Sequence, residues 1–374
     1  MKYDKINLLY RTPISAFAPG ILYKDLENNL RKNELLHYAY DLSGKEPLNL
    51  KEFLKYPVLC INGSWEPLFD IVKSISGRQF VAELNSELLF KGDHYKGLKK
   101  FIIPKFFRIG KYFKILKEEP RRRSKEFFEE FKMLFKINIS KDYSYPYKVM
   151  EERSKYFNLY FSAFEEELNK YFGKACYWYC PWVDTDLLNN IAFPLSNKIL
   201  FVGAIHRERI NFFKQDKNKI IEIRNTAPKK DSIENIKELC KLINNYKYTI
   251  CPIGVTDKYI PGKIYEYMAC KRLCFCYLPE GSAFRIQRLF ENGKEIVYFK
   301  TFPELEEKYR YYLKNPKKAD LIAQAGYKKI REYHNADIRA KRFAEIILHH
   351  ANGGRYDKSF NNISLFGGKS ILKL

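Results

Sequence analysis

Residues 248–278 read YTICPIGVTDKYIPGKIYEYMACKRLCFCYL, and the way this stretch divides decides the fold. The apolar run Tyr248 to Cys251 predicts a short buried strand. A Pro/Gly-rich loop follows, then a helix starting near Pro261, where proline is favoured at the first helical position. A second apolar strand, Leu273 to Leu278, closes the unit, and the alternation points to an α/β fold. On a helix of 3.6 residues per turn Glu266 shares one face with Gly262, Lys263, Ala269 and Cys270, while Ile264 and Met268 form the opposite stripe. The stripe belongs in a core, and the other face is open to a ligand.

That face has a specific chemistry. The first helical turn offers unpaired N–H groups and a partial positive charge, Gly262 lets a ligand approach the backbone, and Lys263 adds a full charge. Such a site suits a phosphate. One turn further in, the Glu266 carboxylate can accept hydrogen bonds from two neighbouring hydroxyls, as a ribose presents them. Phosphate at the tip and ribose behind describe a nucleotide. A Lys263/Glu266 surface pair on an ordinary amphipathic helix is the competing reading.

The residues PGKIYEYMACKR, followed by a strand, resemble the motif P-x-K-x-x-E-x-M-A-x-G-K/R in the C-terminal domain of group 1, family-4-like glycosyltransferases of the GT-B fold. The segment YYLKNPKKADLIAQAGYKKIREYHNADIRAKRFAEII is similar to the closing segment of the spore-maturation-protein-like branch, with its A-x-A-G and H-x-x-x-x-R spacings. Together these cover about residues 198–350. The resemblance implies two Rossmann-like, doubly wound parallel-sheet domains facing an interdomain cleft. It also implies a nucleotide-sugar donor, and a Glu266 that holds the ribose. The chain departs from the pattern in two places: the position eight before Glu266, where the family has a first glutamate, is Lys258 with Asp257 beside it, and Lys271 replaces the usual Gly. The retaining or inverting outcome therefore stays open.

The chain has 374 residues, enough for two domains with their own cores, and a formal net charge of +23. Nucleic acid, an anionic membrane surface or a phosphorylated substrate would each answer that charge. No apolar run long enough to span a membrane and no signal-peptide pattern occurs, so a cytoplasmic protein is expected. Eight cysteines lie mostly in apolar patterns without a CxxC pair and read as buried thiols.

Lys5 to Tyr10 predicts the first parallel strand, with a turn-rich loop from Arg11 to Gly20 and an amphipathic helix from about Leu22 to Tyr40. In a doubly wound domain such a loop faces a ligand cleft, and the resemblance to GT-B enzymes, where that position contacts the acceptor and donor phosphates, implies Arg11, Ser15 and Gly20 as acceptor-side candidates. Tyr56 to Ile61 and QFVAEL read as further strands. The family that the chain resembles often has a His or an acidic group at the end of such a strand, so Glu83, taken as near the end of the latter, is the candidate catalytic base, with Asp70 and His94 as further candidates. From Lys91 to Lys136 fifteen Lys/Arg stand against six Asp/Glu, with two aromatic stripes at helical spacing, one through Phe106 and Phe113 and one through Phe128 and Phe135. Basic amphipathic helices of this kind lie on anionic lipid, or else pack as domain core with a solvated basic back.

The expected organisation is an acceptor-side domain at 1–183 with a basic aromatic insert at about 91–150, a hinge at 184–197, and a nucleotide-sugar domain at 198–335. A helix at 336–350 crosses back to the first domain, and a tail at 351–374 is loosely held. After the strand Lys198 to Gly203, the residues Arg207 and Arg209 resemble the family's basic residues for the donor diphosphate, for which a guanidinium is well suited. Thr256 and Tyr259 are placed at the donor by the loop before Pro261. The expected activity is metal-independent transfer of a hexosyl or related sugar to a glycan or lipid-linked acceptor in cell-surface polysaccharide synthesis. No cofactor beyond the co-substrate is expected, and nucleic acid is the less favoured partner. Peripheral attachment to the inner face of the membrane fits the basic insert. The competing class is a GT-B-like binding protein that has lost catalysis and uses that insert.

Overall fold

The computed structural model describes residues 2–11, 17–44, 46–61, 68–85, 151–162, 173–179, 181–186, 188, 196–203, 207–224, 232–252, 260–278, 285–361, 365 and 367. The chain divides into one unit of Met1–Ser86 with Tyr156–Leu374 and a second of Glu87–Lys155. The basic aromatic insert falls in the second unit and lies outside the described residues, as does His94.

In the first unit the chain opens with β1 (Ile6–Tyr10), α1 (Phe17–Lys32), β2 (Leu36–Asp41), α2 (Leu50–Phe53), β3 (Val58–Ile61), α3 (Leu68–Ile75), β4 (Val81–Asn85), β5 (Leu159–Ser162) and β6 (Ala175–Trp178). These six strands form one sheet in the order β2-β1-β3-β4-β5-β6, all pairs parallel. The apolar runs INLLY and VLCI suit this position, because a parallel sheet is covered on both faces and its strands need not alternate.

Sequence periodicity carried a helix through to Tyr40, but the helix stops at Lys32 and Leu36–Asp41 is a strand. The stop is a Schellman turn. Glu34 takes the left-handed conformation at φ 58°, its N–H bonds to Arg31 O at 3.0 Å, and Leu35 N–H reaches back to Leu30 O at 2.9 Å. A glutamate at a position that favours glycine gave no warning. The same helix begins at Phe17, so Gly20 belongs to its first turn and not to a loop.

The second sheet follows with β7 (Ser196–Val202), α4 (Arg207–Phe213), β8 (Ile221–Arg224), α5 (Ser232–Asn244), β9 (Tyr246–Cys251), α6 (Gly262–Ala269), β10 (Leu273–Tyr277), α7 (Arg285–Leu289) and β11 (Val297–Phe299). Its order is β11-β10-β9-β7-β8, again with parallel pairs. Alternate residues supply two cores. Leu200, Val202, Cys251, Cys274 and Cys276 pack with Ile264 and Met268 of α6 on one face, and Ile199, Phe201, Tyr248, Ile250 and Phe275 pack on the other. Seven described cysteines are buried free thiols.

The chain ends with α8 (Phe302–Lys314), α9 (Pro316–Tyr333) and α10 (Ala336–Ala351). Gly326 of α9 lies against α6 and the turn before β11: a Cβ there would meet Glu295 O at 2.7 Å and Met268 Cε at 2.8 Å. The backbone carbonyl cannot swing aside as a side chain can. Gly326→Ala is therefore expected to lower stability by about 1–2 kcal/mol, overpacking outweighing the better helix propensity of alanine. Thermal unfolding of the two proteins checks this, and an unchanged or higher melting temperature contradicts it.

Helix α10 packs on the first sheet, with Phe343 edge-on to Phe161 at 4.8 Å and to Trp182 at 5.6 Å. The two chain passages between the sheets run side by side, for Val183 N–H bonds to His334 O at 3.1 Å and Ala336 N–H to Val183 O at 2.9 Å. Residues 352–361, expected to be loosely held, are pinned. Asn352 exchanges hydrogen bonds with the Tyr3 backbone at 2.8 and 3.0 Å, Asp357 N–H bonds to the Tyr177 hydroxyl at 3.2 Å, and the Arg342 guanidinium covers the Phe360 ring at 4.7 Å. Aromatic residues in the segment outweighed its Gly/Asn/Ser composition. No helix among the described residues is long and apolar enough to cross a membrane.

Candidate active site

The strand order of the second sheet reverses between β7 and β9, and ligands of open α/β sheets bind at the carboxyl ends of the strands where that happens. The residues at this point are Val202 and Gly203 from β7, Cys251 from β9 and the amino end of α6. Pro261 is the N-cap of α6 and not its first residue, with extended φ/ψ of −62° and 133°. Gly262 and Lys263 therefore hold the first helical positions, where N–H groups have no partner within the helix.

Lys263 points back along the helix to β7. Its ammonium donates to Val202 O at 2.5 Å and sits 5.2 Å from the centre of the buried Phe201 ring. The Arg209 guanidinium, from α4, lies 5.2 Å from the same ring. Gly203 fills the space between them. Its φ of 150° favours glycine, and a Cβ there would stand 2.6 Å from Lys263 Nζ and 3.7 Å from Arg209 Nη1. Two half-buried cations thus converge on one backbone position, and like charges so placed suit an anionic ligand.

Burial pulls the Lys263 pKa down, opposed by Glu266 and Cys251 and reinforced by Arg209. The Cys251 thiol is lowered, first by its hydrogen bond with Cys276 and then, against its burial, by the charges of Lys263 and Arg209. One turn along α6, burial raises the Glu266 pKa and Lys263 opposes the rise. Among the described residues the Glu266 carboxylate has no hydrogen-bond partner and no ion-pair partner within salt-bridge distance. A half-buried carboxylate held in this way is available to the hydroxyls of a ligand.

Tyr267 completes the arrangement, and sequence reasoning did not single it out. Its hydroxyl accepts from Val202 N–H at 3.0 Å. Phe201 was likewise read only as strand. The helix is also held from behind, where Tyr265 meets the His334 ring edge-on at 5.0 Å and buried Arg339 donates to His334 Nδ1 at 2.7 Å. This gives the H-x-x-x-x-R spacing a structural meaning.

The structure brings Gly203, Arg209, Gly262, Lys263 and Glu266 together. Arg207 is the first residue of α4, while Thr256, Tyr259 and Ser15 lie outside the described residues. Arg11 directly follows β1, at the carboxyl edge of the first sheet. Glu83 requires a correction. It sits mid-strand in β4, paired with Cys60 and Tyr160 on either side, and is 0% exposed. A base must reach an acceptor hydroxyl, and Glu83 is sealed inside the sheet.

The sequence finds no match among curated proteins. Solved structures match over nearly the whole chain at low identity. The glycosyltransferase from Rickettsia africae ESF-5 is 11% identical with a TM-score of 0.50, over 94% of this chain and 100% of that one. Sucrose-phosphate synthase from Thermosynechococcus elongatus is 9% identical with a TM-score of 0.53, over 91% and 98%. An alpha-glucosyltransferase in complex with UDP is 8% identical with a TM-score of 0.53, over 92% and 99%. Residues 208–345, which carry Arg209, α6 and the His334–Arg339 pair, match the family model described as glycosyl transferase-like, and the chain as a whole has the GT-B fold.

Proposed function

We propose that the protein is a glycosyltransferase that binds a nucleotide-sugar donor at the carboxyl edge of the second sheet and passes its sugar to a glycan or lipid-linked acceptor. The observation that carries this reading is the convergence of Lys263 and Arg209 on Gly203 at the amino end of α6, with the Glu266 carboxylate, unpartnered among the described residues, one turn behind. Cations and helix amides stabilise the charge that develops on a leaving diphosphate. Lys263 keeps two N–H donors beyond the one given to Val202 O, and Arg209 offers a planar fork to phosphate oxygens. Glu266 accepts from the ribose. The match of residues 208–345 to a glycosyl transferase-like model supports the donor half of this assignment.

The test is a panel of UDP-, GDP-, ADP- and CMP-sugars, followed by thermal shift and by nucleotide release with and without glycan acceptors. At least one donor is expected to raise the melting temperature by several degrees at millimolar concentration, since saturation a hundredfold above Kd contributes about 2.7 kcal/mol. Silence across the panel, together with salt-sensitive binding of an oligonucleotide, overturns the reading in favour of a binding protein.

A further inference from the structure

Among the described residues the Lys263 ammonium is hydrogen-bonded to the Val202 carbonyl, and the backbone of Val202 is held in an unusual way. The N–H groups of Ile199 in β7 and of Gly203 just beyond it bond on the β8 side, at Ile220 O (2.9 Å), immediately before β8, and at Arg224 O (3.0 Å). The alternation of a parallel ladder turns the N–H of the even-numbered residues toward β9. The register with β9 ends at Leu200↔Thr249, so at the switch point the two strands part and Val202 N–H has passed the last paired position. The Tyr267 hydroxyl takes this place at 3.0 Å, while Lys263 holds the Val202 carbonyl at 2.5 Å. Lys263 and Tyr267 are four residues apart on α6 and share a face, so one helix holds both backbone polar groups of Val202, the N–H of the 201–202 peptide and the carbonyl of the 202–203 peptide. The Tyr267 ring is fully buried, and its oxygen is 3.5 Å from Val202 O, which makes Lys263 the nearer donor to that carbonyl.

We infer that Tyr267 is a positioning residue for the phosphate end of the donor: its hydroxyl, taking the place of a strand partner, fixes the backbone at Val202, and the carbonyl of that residue, one peptide on, fixes the Lys263 ammonium over Gly203. This rests on the nucleotide-sugar reading of the site. It goes beyond that reading in giving a role to a side chain that touches no substrate. Burial raises the Tyr267 pKa well above its ordinary value, so the hydroxyl stays neutral at any working pH. Removing it costs one buried hydrogen bond and leaves the ring packed.

The experiment compares the full chain with Tyr267→Phe, using UDP, GDP, ADP and CDP alongside the four corresponding nucleosides. Affinity for the diphosphate that binds the wild type is expected to fall about tenfold, the size of one lost hydrogen bond. Affinity for its nucleoside is expected to change less than about twofold, because the nucleoside does not reach Lys263. A merely structural role would move both together. Equal losses, or an unchanged diphosphate affinity, overturn the inference. Residue-resolved hydrogen exchange on the free proteins tests the clamp without any ligand. The Val202 amide is expected to be protected in the wild type and to exchange at least about tenfold faster in Tyr267→Phe. An unprotected Val202 amide in the wild type overturns the inference even if the variant does not fold. If no diphosphate binds the wild type, the functional reading fails, whereas the exchange result still decides the clamp.

Discussion

Glu266→Ala is expected to weaken nucleotide binding by about a hundredfold, and Glu266→Gln by about tenfold, while the glutamine variant melts no lower than the wild type. The wild-type carboxylate is half-buried, accepts no hydrogen bond among the described residues, and has its pKa raised by burial against the pull of Lys263. In the free protein such a group is a cost; with a ribose bound it becomes an acceptor for two hydroxyls. Removing its charge therefore trades binding for stability, as groups at functional sites do. The pH dependence has a definite sign. Glu266 holds its proton to a higher pH in the folded chain than in the unfolded one, so ionisation lowers stability as pH rises through the folded pKa. Nucleotide affinity runs the other way and falls as pH drops through it. Glu266→Gln should lack both trends. Calorimetric titration and thermal melts across pH check this, and a variant that binds as tightly as the wild type would remove the ribose from the model of the site.

Asp25→Asn is expected to stabilise the protein at pH 8 by about 2–4 kcal/mol and to leave it nearly unchanged at pH 4. Asp25 lies on α1, 6% exposed, with its pKa pushed up to about 7 by burial and then by Asp184, in the passage between the two sheets. Against an ordinary value of 3.8, that shift of about 3 pH units corresponds to about 4 kcal/mol at full ionisation. The folded state holds the proton more tightly, so stability is greatest below about pH 4 and is lost as pH rises to about 7. Two residues along the same helix Glu27 behaves oppositely. It is also buried, but the hydrogen bonds of Tyr10, Lys24 and Arg31, at 2.6, 2.9 and 3.0 Å, outweigh that burial and lower its pKa. Melting curves from pH 4 to 8 test the contrast. An Asp25→Asn protein with the wild-type slope between pH 5 and 7 would show that Asp25 is ionised throughout.

The unit β9–α6–β10 was legible because its three apolar patterns differ in length and period, and because Pro261 and Gly262 punctuate them. Lys263 and Glu266 followed from helical geometry, which needs no tertiary information. Gly203 and Arg209 were named through a family resemblance, and their approach to Lys263 appears only in the folded chain. β2 was missed because α1 ends at a left-handed glutamate, a stop written in backbone hydrogen bonds and not in residue type. Glu83 was misplaced because alternation tells which face a strand residue takes, not how deeply the sheet is covered there. The pinned residues 352–361 were misread because composition says nothing about the aromatic partners a segment finds elsewhere.

What the sequence determined by itself was local: an α/β alternation, a helix with a cationic amino end, and a carboxylate one turn behind it, all set by spacing along a single element. Tertiary structure alone decided that α6 abuts β7, that Lys263 and Arg209 meet at Gly203, and that Tyr267 closes the gap where β7 and β9 part. Strand order in a parallel sheet is chosen by how covering helices and crossovers pack, and these contacts join residues far apart in sequence, as Tyr267 and Val202 are at 65 positions. No periodicity within one segment encodes such a meeting.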